Sequence, residues 1–200
     1  EDTVSLPEAT RKQAGIIRRY SEKLKNLVAD LNLTTKLEYS IQPLQKQKID
    51  PVELARQVVS EVLNDGISEL YELELSEDTP GKNLSLVGDQ ALLSRMLNNL
   101  IRNCIVHNPD GCTIQVSVGS CDAMCTFSVA DNGYGISEPQ LNALNSGKDI
   151  SSTQKQTGET EHGLGLKIVM QIVKAHQGII QFADTIPHGL SIHISLPMKL

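Results

Sequence analysis

Asp131 stands at the end of an alternating segment and is followed by two glycines, in the stretch Asp-Asn-Gly-Tyr-Gly-Ile at residues 131–136. The alternation of apolar and polar side chains before it predicts a half-buried strand that ends at the acid. Glycines let a backbone approach a flat ligand closely, and a carboxylate accepts a hydrogen bond from an amine. A strand that ends in an ordinary Asx turn would show the same stretch, so the interpretation needs support from other segments.

Two further segments carry groups that suit a metal or a phosphate. Upstream, Asn99 and Asn103 lie four residues apart in a segment with helical apolar spacing, so both amides share one helix face. Downstream, the run Gly-Leu-Gly-Leu at 163–166 opens an apolar segment that predicts a helix closed by Gly178. Free backbone N–H groups and the helix dipole favour an anion at such a start.

These three motifs, in this order and at intervals of about thirty residues, resemble the ATP-binding domain of sensor histidine kinases. Relatives of that domain are gyrase, the heat-shock chaperone ATPases and the mismatch-repair ATPases. The resemblance covers roughly residues 50–200. It implies a kinase domain of a two-component sensor, which positions Mg-ATP for transfer of the γ-phosphoryl group to a histidine.

The resemblance also implies a role for each motif. Asp131 would accept a hydrogen bond from the adenine amine, and Asn103 would give Mg²⁺ an amide oxygen beside phosphate oxygens and water. The protein would position the phosphates and neutralise charge, without a catalytic side chain. The expected nucleotide-binding residues are Asn99, Asn103, His107, Asp131, Gly133, Gly135, Ile136, His162, Gly163, Leu164, Gly165 and Leu166.

Two histidines keep alternative interpretations. His107 would lie by the ribose and phosphates, or would simply cap carbonyls at a helix end. His162, beside the glycines, could contact phosphate or serve no ligand. Val106 and Glu161 depart from the family pattern, because they stand where a phosphate-contacting Lys and the first Gly of the glycine box are usual. These departures leave a second hypothesis, a degenerate nucleotide-binding or regulatory scaffold that acts through protein contacts.

Charge is divided unevenly along the chain. The net charge is −6, yet residues 1–49 carry nine Lys/Arg against six Asp/Glu, and the remainder is acidic. Basic residues are not interleaved with aromatics, which argues against a nucleic-acid partner. The four cysteines form no C-x-x-C pair, so we expect reduced thiols. No signal peptide or spanning segment is recognised, and we expect a cytoplasmic location, as the cytoplasmic part of a membrane-bound sensor.

Residues 1–48 are predicted to form a long helix and a linker. A capping box at 5–8 starts the helix, and Ile17, Tyr20, Leu24, Leu27 and Leu31 recur at the spacing of a heptad seam. Such a stripe packs on another helix or lies on its own domain. The resemblance implies the second helix of a dimerisation hairpin, and hence a possible homodimer.

The phospho-accepting histidine of the family sits in a His-Glu/Asp-x-x-x-Pro box, which none of the five histidines matches. We therefore expect the chain to start after the first helix of the hairpin. A phospho-accepting histidine helix of the same protein and a response regulator would be its partners, besides ATP.

Residues 49–200 are predicted to form the ATP-binding domain, an α+β fold in which one mixed sheet is covered by three helices in a two-layer sandwich. Strands are expected at 70–75, 84–87, 112–118, 124–130, 178–183 and 190–196, and helices at 89–106, 137–145 and 164–176 after a further helix that starts at Asp50-Pro51. Residues 145–162 contain one apolar side chain, Ile150, and are interpreted as a nucleotide lid.

Overall fold

The computed structural model describes residues 8–38, 43–78, 84–147 and 164–199. It contains five helices and seven strands within those ranges. The helices are α1 (Glu8–Glu38), α2 (Pro51–Asn64), α3 (Gln90–His107), α4 (Glu138–Asn145) and α5 (Leu164–Ala175). The strands are β1 (Gln47–Ile49), β2 (Tyr71–Glu77), β3 (Leu86–Gly88), β4 (Cys112–Cys121), β5 (Met124–Asp131), β6 (Ile179–Asp184) and β7 (Leu190–Pro197).

Five strands form a mixed sheet in the order β2-β4-β5-β7-β6. The β2–β4 pair is parallel and the other three pairs are antiparallel. Helices α2, α3 and α5 pack against one face, and the short α4 lies against β6. The predicted α+β sandwich with a mixed sheet, preceded by a long N-terminal helix, is confirmed.

The core lies between the sheet and the helices, as the period of two in the strands requires. In β5 the buried side chains are Cys125, Phe127 and Val129, which face the helices. Helix α2 begins as its sequence predicts, because the Asp50 carboxylate accepts hydrogen bonds from the backbone N–H groups of Val52 and Glu53 at 3.0 and 3.1 Å.

The small sheet of β1 and β3 is the part of the fold that the sequence analysis did not anticipate. The strand expected at 84–87 does not join the main sheet, and β3 pairs instead with β1 in an antiparallel ladder. Both strands have three residues, too few for a periodic pattern to show. Strand β1 spans the predicted boundary between residues 48 and 49. The last residues of the predicted linker therefore pair with a strand of the predicted ATP-binding domain.

Helix α1 has two distinct faces. Leu33 and Leu37 pack against the core and Thr34 is buried. Asp30 forms an ion pair with Arg95 of α3, and burial lowers the pKa of that guanidinium. The other face is open, because its apolar side chains are exposed; these are Ile17, Tyr20, Leu24, Val28 and Leu31.

The predicted seam is thus corrected at one position. Val28 belongs to the exposed stripe, whereas Leu27 is partly buried. The alternative that the whole stripe lies on its own domain is wrong, since a different face of α1 makes that contact. Residues 5–7 of the predicted capping box lie outside the described residues, and Glu8 is the first residue of α1.

Candidate functional site

The C-terminal half of α3 contacts the start of α5. This contact brings the motif of Asn99 and Asn103 close to the Gly-Leu-Gly-Leu motif. A Cβ atom at residue 165 would lie 3.3 Å from Asn103 Oδ1, which is tighter than an ordinary van der Waals contact. Gly165 therefore lets the helix start approach the Asn103 amide oxygen. An oxygen in this place can serve a hard cation that also binds phosphate at the helix start.

Asn99 lies one helical turn before Asn103. Its Nδ2 atom is buried and has no hydrogen-bond partner among the described residues. An unpaired buried amide costs about 1–3 kcal/mol, so such a group is normally satisfied by something else. A polar ligand that reaches this amide would supply the missing acceptor.

Asp131, at the end of β5, is a buried residue with a relative exposure of 7%. Its Oδ1 accepts a hydrogen bond from Gly133 N at 2.9 Å. Burial and, after it, the charge of Asp131 raise the pKa of Cys104 well above its usual range. The thiol is therefore neutral, and the carboxylate keeps free acceptor positions for an amine.

Asn108, which the sequence analysis missed, connects α3 to the residues after Asp131. Its buried amide donates to Cys104 O at 2.8 Å and accepts from Tyr134 N at 2.9 Å. A Cβ at residue 133 would lie 1.8 Å from Asn108 Oδ1, so a glycine is required there. Asn108 follows the last residue of α3 before a proline, a pattern that suggests an ordinary helix end and gives no sign of this role.

The start of α5 has the features of an anion-binding site. Its first turn contains Lys167 and no acidic residue. The first four N–H groups of a helix lack intrahelical partners, and the helix dipole is positive at this end. With twelve residues, α5 is long enough to present them together beside Asn103.

The remaining predicted residues occupy mixed positions. Ile136, Leu164 and Leu166 are partly buried against the core, which makes them supports of the site. Gly135 has a φ of +68°, which a glycine adopts without strain. His107 is the exposed last residue of α3.

His162, Gly163, Glu161 and the lid segment beyond residue 147 lie outside the described residues. Val106, at the position of the missing Lys, is 55% exposed. The described residues contain no group of three or more His, Cys, Asp or Glu side chains that could hold a metal ion. A metal here would depend on the Asn103 oxygen and on the ligand's own oxygens.

Comparison with known sequences identifies the class of this site. Residues 88–200 match the family described as "Histidine kinase-, DNA gyrase B-, and HSP90-like ATPase". The chain belongs to this family, and it carries the ATP-binding catalytic domain found in sensor histidine kinases. The match begins just before α3 and includes all three motifs.

Full-length relatives are sensor histidine kinases. The chain is 29% identical over 175 residues to "Sensor histidine kinase YvrG" of Bacillus subtilis. The aligned residues make up 87% of this chain and 30% of that protein. It is also 29% identical over 194 residues to "Probable sensor histidine kinase TcrY" of Mycobacterium tuberculosis, covering 96% and 39%. The chain thus spans less than half the length of these relatives.

Solved structures of histidine kinases share the fold. The Acinetobacter baumannii histidine kinase AdeS superposes with a TM-score of 0.72 at 19% identity, over 98% of this chain and 88% of that one. Full-length ShkA in complex with AMPPNP gives 0.74 at 21% identity, over 97% and 40%. Within the described residues, no helix has the length and apolarity needed to cross a membrane.

Proposed function

We propose that this chain binds Mg-ATP and positions its γ-phosphoryl group for transfer to a histidine on a partner helix. Adenine would be recognised by Asp131, the metal by Asn103, and the phosphates by the start of α5. The glycines at 133, 135, 163 and 165 would allow close backbone approach. In this arrangement the protein acts by positioning and by neutralising charge.

The observation that carries the proposal is the continuous set of contacts from Gly165 to Asp131. Gly165 adjoins Asn103 on α3, and Asn108 at the end of the same helix donates to Cys104 O and accepts from Tyr134 N. Gly133 N in turn donates to Asp131 Oδ1. Three weak motifs therefore line one region. The orphaned Nδ2 of Asn99 supports the same proposal, because nucleotide phosphates or their water would satisfy it.

The metal part of the proposal depends on the chemistry of the donor set. Mg²⁺ prefers octahedral oxygen ligands and keeps several waters, so one amide oxygen and the phosphates suffice. Bound there, Mg²⁺ would neutralise charge on the phosphates. Asn103 would hold the ion, and Gly165 would keep the helix start close to it.

Calorimetric titration of Mg-ATP into the purified chain tests the proposal. Asp131→Asn should weaken binding about ten- to a hundredfold, because a hydrogen bond to a charged group contributes about 1.5–3 kcal/mol. The melting temperature without ligand should change little, since an Asn Oδ1 can still accept from Gly133 N.

The matched control is Asp122→Asn, in the turn at the opposite end of β5. Asp122 has a φ of +54°, a conformation that Asn tolerates well. This control should bind Mg-ATP as the unsubstituted chain does. Equal affinity in Asp131→Asn and Asp122→Asn would remove the adenine role.

A degenerate scaffold is the second candidate function, and Val106 is the observation that favours it. An exposed apolar side chain replaces the cation expected near the phosphates. A scaffold of this kind would act through protein contacts of α1. Failure of the unsubstituted chain to bind Mg-ATP at millimolar concentration would select this alternative.

We further infer that the open face of α1 packs against a second copy of α1, which would form a homodimer. Its apolar residues recur every three or four positions, as in helices that pair along a seam. The phospho-accepting helix of the same protein, a response regulator and a cytoplasmic location are parts of this proposal that follow from the sensor-kinase relatives.

A further inference from the structure

The connection between β6 and β7 lies against the loop that follows β5. We call residues 185–189 the β6–β7 turn and residues 131–135 the adenine loop. Asp184 pairs with Leu190, and Ala130 pairs with Ser191 on the neighbouring strand. Both connections therefore leave the sheet at the same end, side by side.

Thr185 and His188 of the turn bond to backbone carbonyls of the adenine loop. Thr185 Oγ1 lies 2.9 Å from Asp131 O and 2.9 Å from His188 O, between which its proton is shared. His188 Nδ1 lies 2.8 Å from Gly133 O. Since a carbonyl accepts and never donates, Nδ1 carries the proton of this bond.

These bonds complete two peptide units that are held at both ends. The unit formed by Gly133 C=O and Tyr134 N–H donates to Asn108 Oδ1 at 2.9 Å while His188 donates to its carbonyl. A second peptide unit joins Asp131 C=O to Asn132 N–H. Its N–H donates to Thr113 O at 3.3 Å, and its carbonyl accepts a hydrogen bond from the Thr185 hydroxyl. Hydrogen bonds at both ends of a planar peptide restrict its rotation.

The fit between the turn and the loop is also steric. Gly189 has a φ of +126°, and a Cβ there would lie 2.0 Å from Asp131 O. A Cβ at Gly135 would lie 3.0 Å from Gly189 O. The two backbones are in direct contact, so a change in the turn is transmitted to the loop.

We propose that Thr185 and His188 are positioning residues of the nucleotide site. They fix the orientation of the loop peptides and, through them, the Asp131 carboxylate and the backbone around Gly133. Both bond to backbone and not to the carboxylate, so they act through the loop. This inference rests on the proposed function, because the loop is assigned to adenine there.

The experiment compares isosteric losses with conservative rescues. Thr185→Val removes the donor and keeps the shape, whereas Thr185→Ser restores the hydroxyl. His188→Ala removes the donor, and His188→Asn restores an N–H near the position of Nδ1. Ile186→Ala is the control in the same turn, because Ile186 is 99% exposed.

Each loss should raise the Kd for Mg-ATP about three- to tenfold, the effect of one ordinary hydrogen bond. Each rescue should return it to within about twofold of the starting value, and the melting temperature should stay nearly constant throughout. Hydrogen exchange of the Asn132 and Tyr134 amides, measured without nucleotide, should become faster in both loss variants and not in Ile186→Ala.

Binding that survives both Thr185→Val and His188→Ala while Asp131→Asn weakens it would overturn this inference alone. Unchanged amide exchange in the two loss variants would also overturn it. Absence of Mg-ATP binding by the unsubstituted chain would overturn the proposed function, and this inference with it.

Discussion

Val106 lies on α3 three residues after Asn103, and its side chain is 55% exposed. Residues three apart on a helix are neighbours, so a long cation at 106 could reach phosphates held beside Asn103. An exposed charge pair contributes up to about 1 kcal/mol and is weakened by salt. We expect Val106→Lys to tighten Mg-ATP binding about two- to fivefold at low ionic strength, with the fold intact.

The matched control is Val106→Gln, because the Gln side chain is similar to Lys in length and helix propensity but carries no charge. Calorimetry at two salt concentrations separates charge from shape. If the Lys variant binds no more tightly than the Gln variant, residue 106 does not face the phosphates.

His176 is a buried histidine whose two ring nitrogens have fixed roles. Nδ1 donates to Ile172 O at 2.8 Å, and Nε2 accepts from Asp89 N at 3.0 Å. Burial lowers the pKa of His176, and the nearby Lys46 adds to this, against raising effects of the Ile172 carbonyl and Asp89. A proton on Nε2 would remove the bond to Asp89 N.

The stability of the domain should therefore depend on the state of His176. The unfolded chain binds this proton more tightly, so the contribution is complete above the unfolded pKa of about 6.5 and declines as the pH falls towards the lower folded pKa. Urea unfolding between pH 5 and 7.5 measures it. His176→Gln should show a shallower loss of stability on acidification, and an equal slope would contradict the assignment.

At the scale of single elements, α1 separates contacts with its own domain from an exposed apolar face. Leu24 lies on the exposed face, whereas Leu33 packs against the core. A charge introduced at Leu24 should therefore reduce self-association by tenfold or more without lowering the melting temperature of the domain. A charge at Leu33 should lower that temperature instead.

Sedimentation of Leu24→Glu against Ala29→Glu tests this separation, because Ala29 is exposed and lies on a different face of the helix from the stripe. The Ala29 variant should associate like the unsubstituted chain. A chain that is monomeric at all concentrations, or a Leu24 variant that associates normally, would contradict the dimer.

The elements also explain which features were predictable. The long helices and the five strands of the main sheet carry clear periodic patterns, and Asn103 and Asp131 stand in recognisable motifs. Asn108, Thr185 and His188 act through contacts between segments that are 26 to 55 residues apart. Neither spacing nor composition reports such pairings, and the three-residue strands β1 and β3 are too short to show a period.

At the scale of the whole molecule, the positions of the histidines determine whether the chain can phosphorylate itself. Autophosphorylation needs an accessible imidazole that reaches the γ-phosphate in line, with an acid that holds its tautomer. Of the described histidines, His176 is buried, His188 bonds to Gly133 O, and His193 bonds to Ser191. His107 is exposed at the end of α3, but Asn108 follows it where the phospho-acceptor box has an acid. The 200-residue chain should bind Mg-ATP and remain unlabelled.

Incubation with γ-labelled ATP, followed by a test for acid-labile phosphohistidine, measures this. The same sample must bind Mg-ATP by calorimetry, so that the absence of label has a meaning. Stoichiometric acid-labile label would show that the acceptor lies within these residues, with His107 and His162 the first to substitute.

The two faces of α1 determine where a foreign helix can be joined to this domain. A foreign signalling helix fused before residue 30 would keep the Asp30–Arg95 pair and the packing of Leu33 and Leu37. A fusion placed after residue 37 would exchange that packing surface for side chains unmatched to α3 and α5. The part of the chain that can be exchanged therefore ends inside α1, before the predicted linker at 39–48.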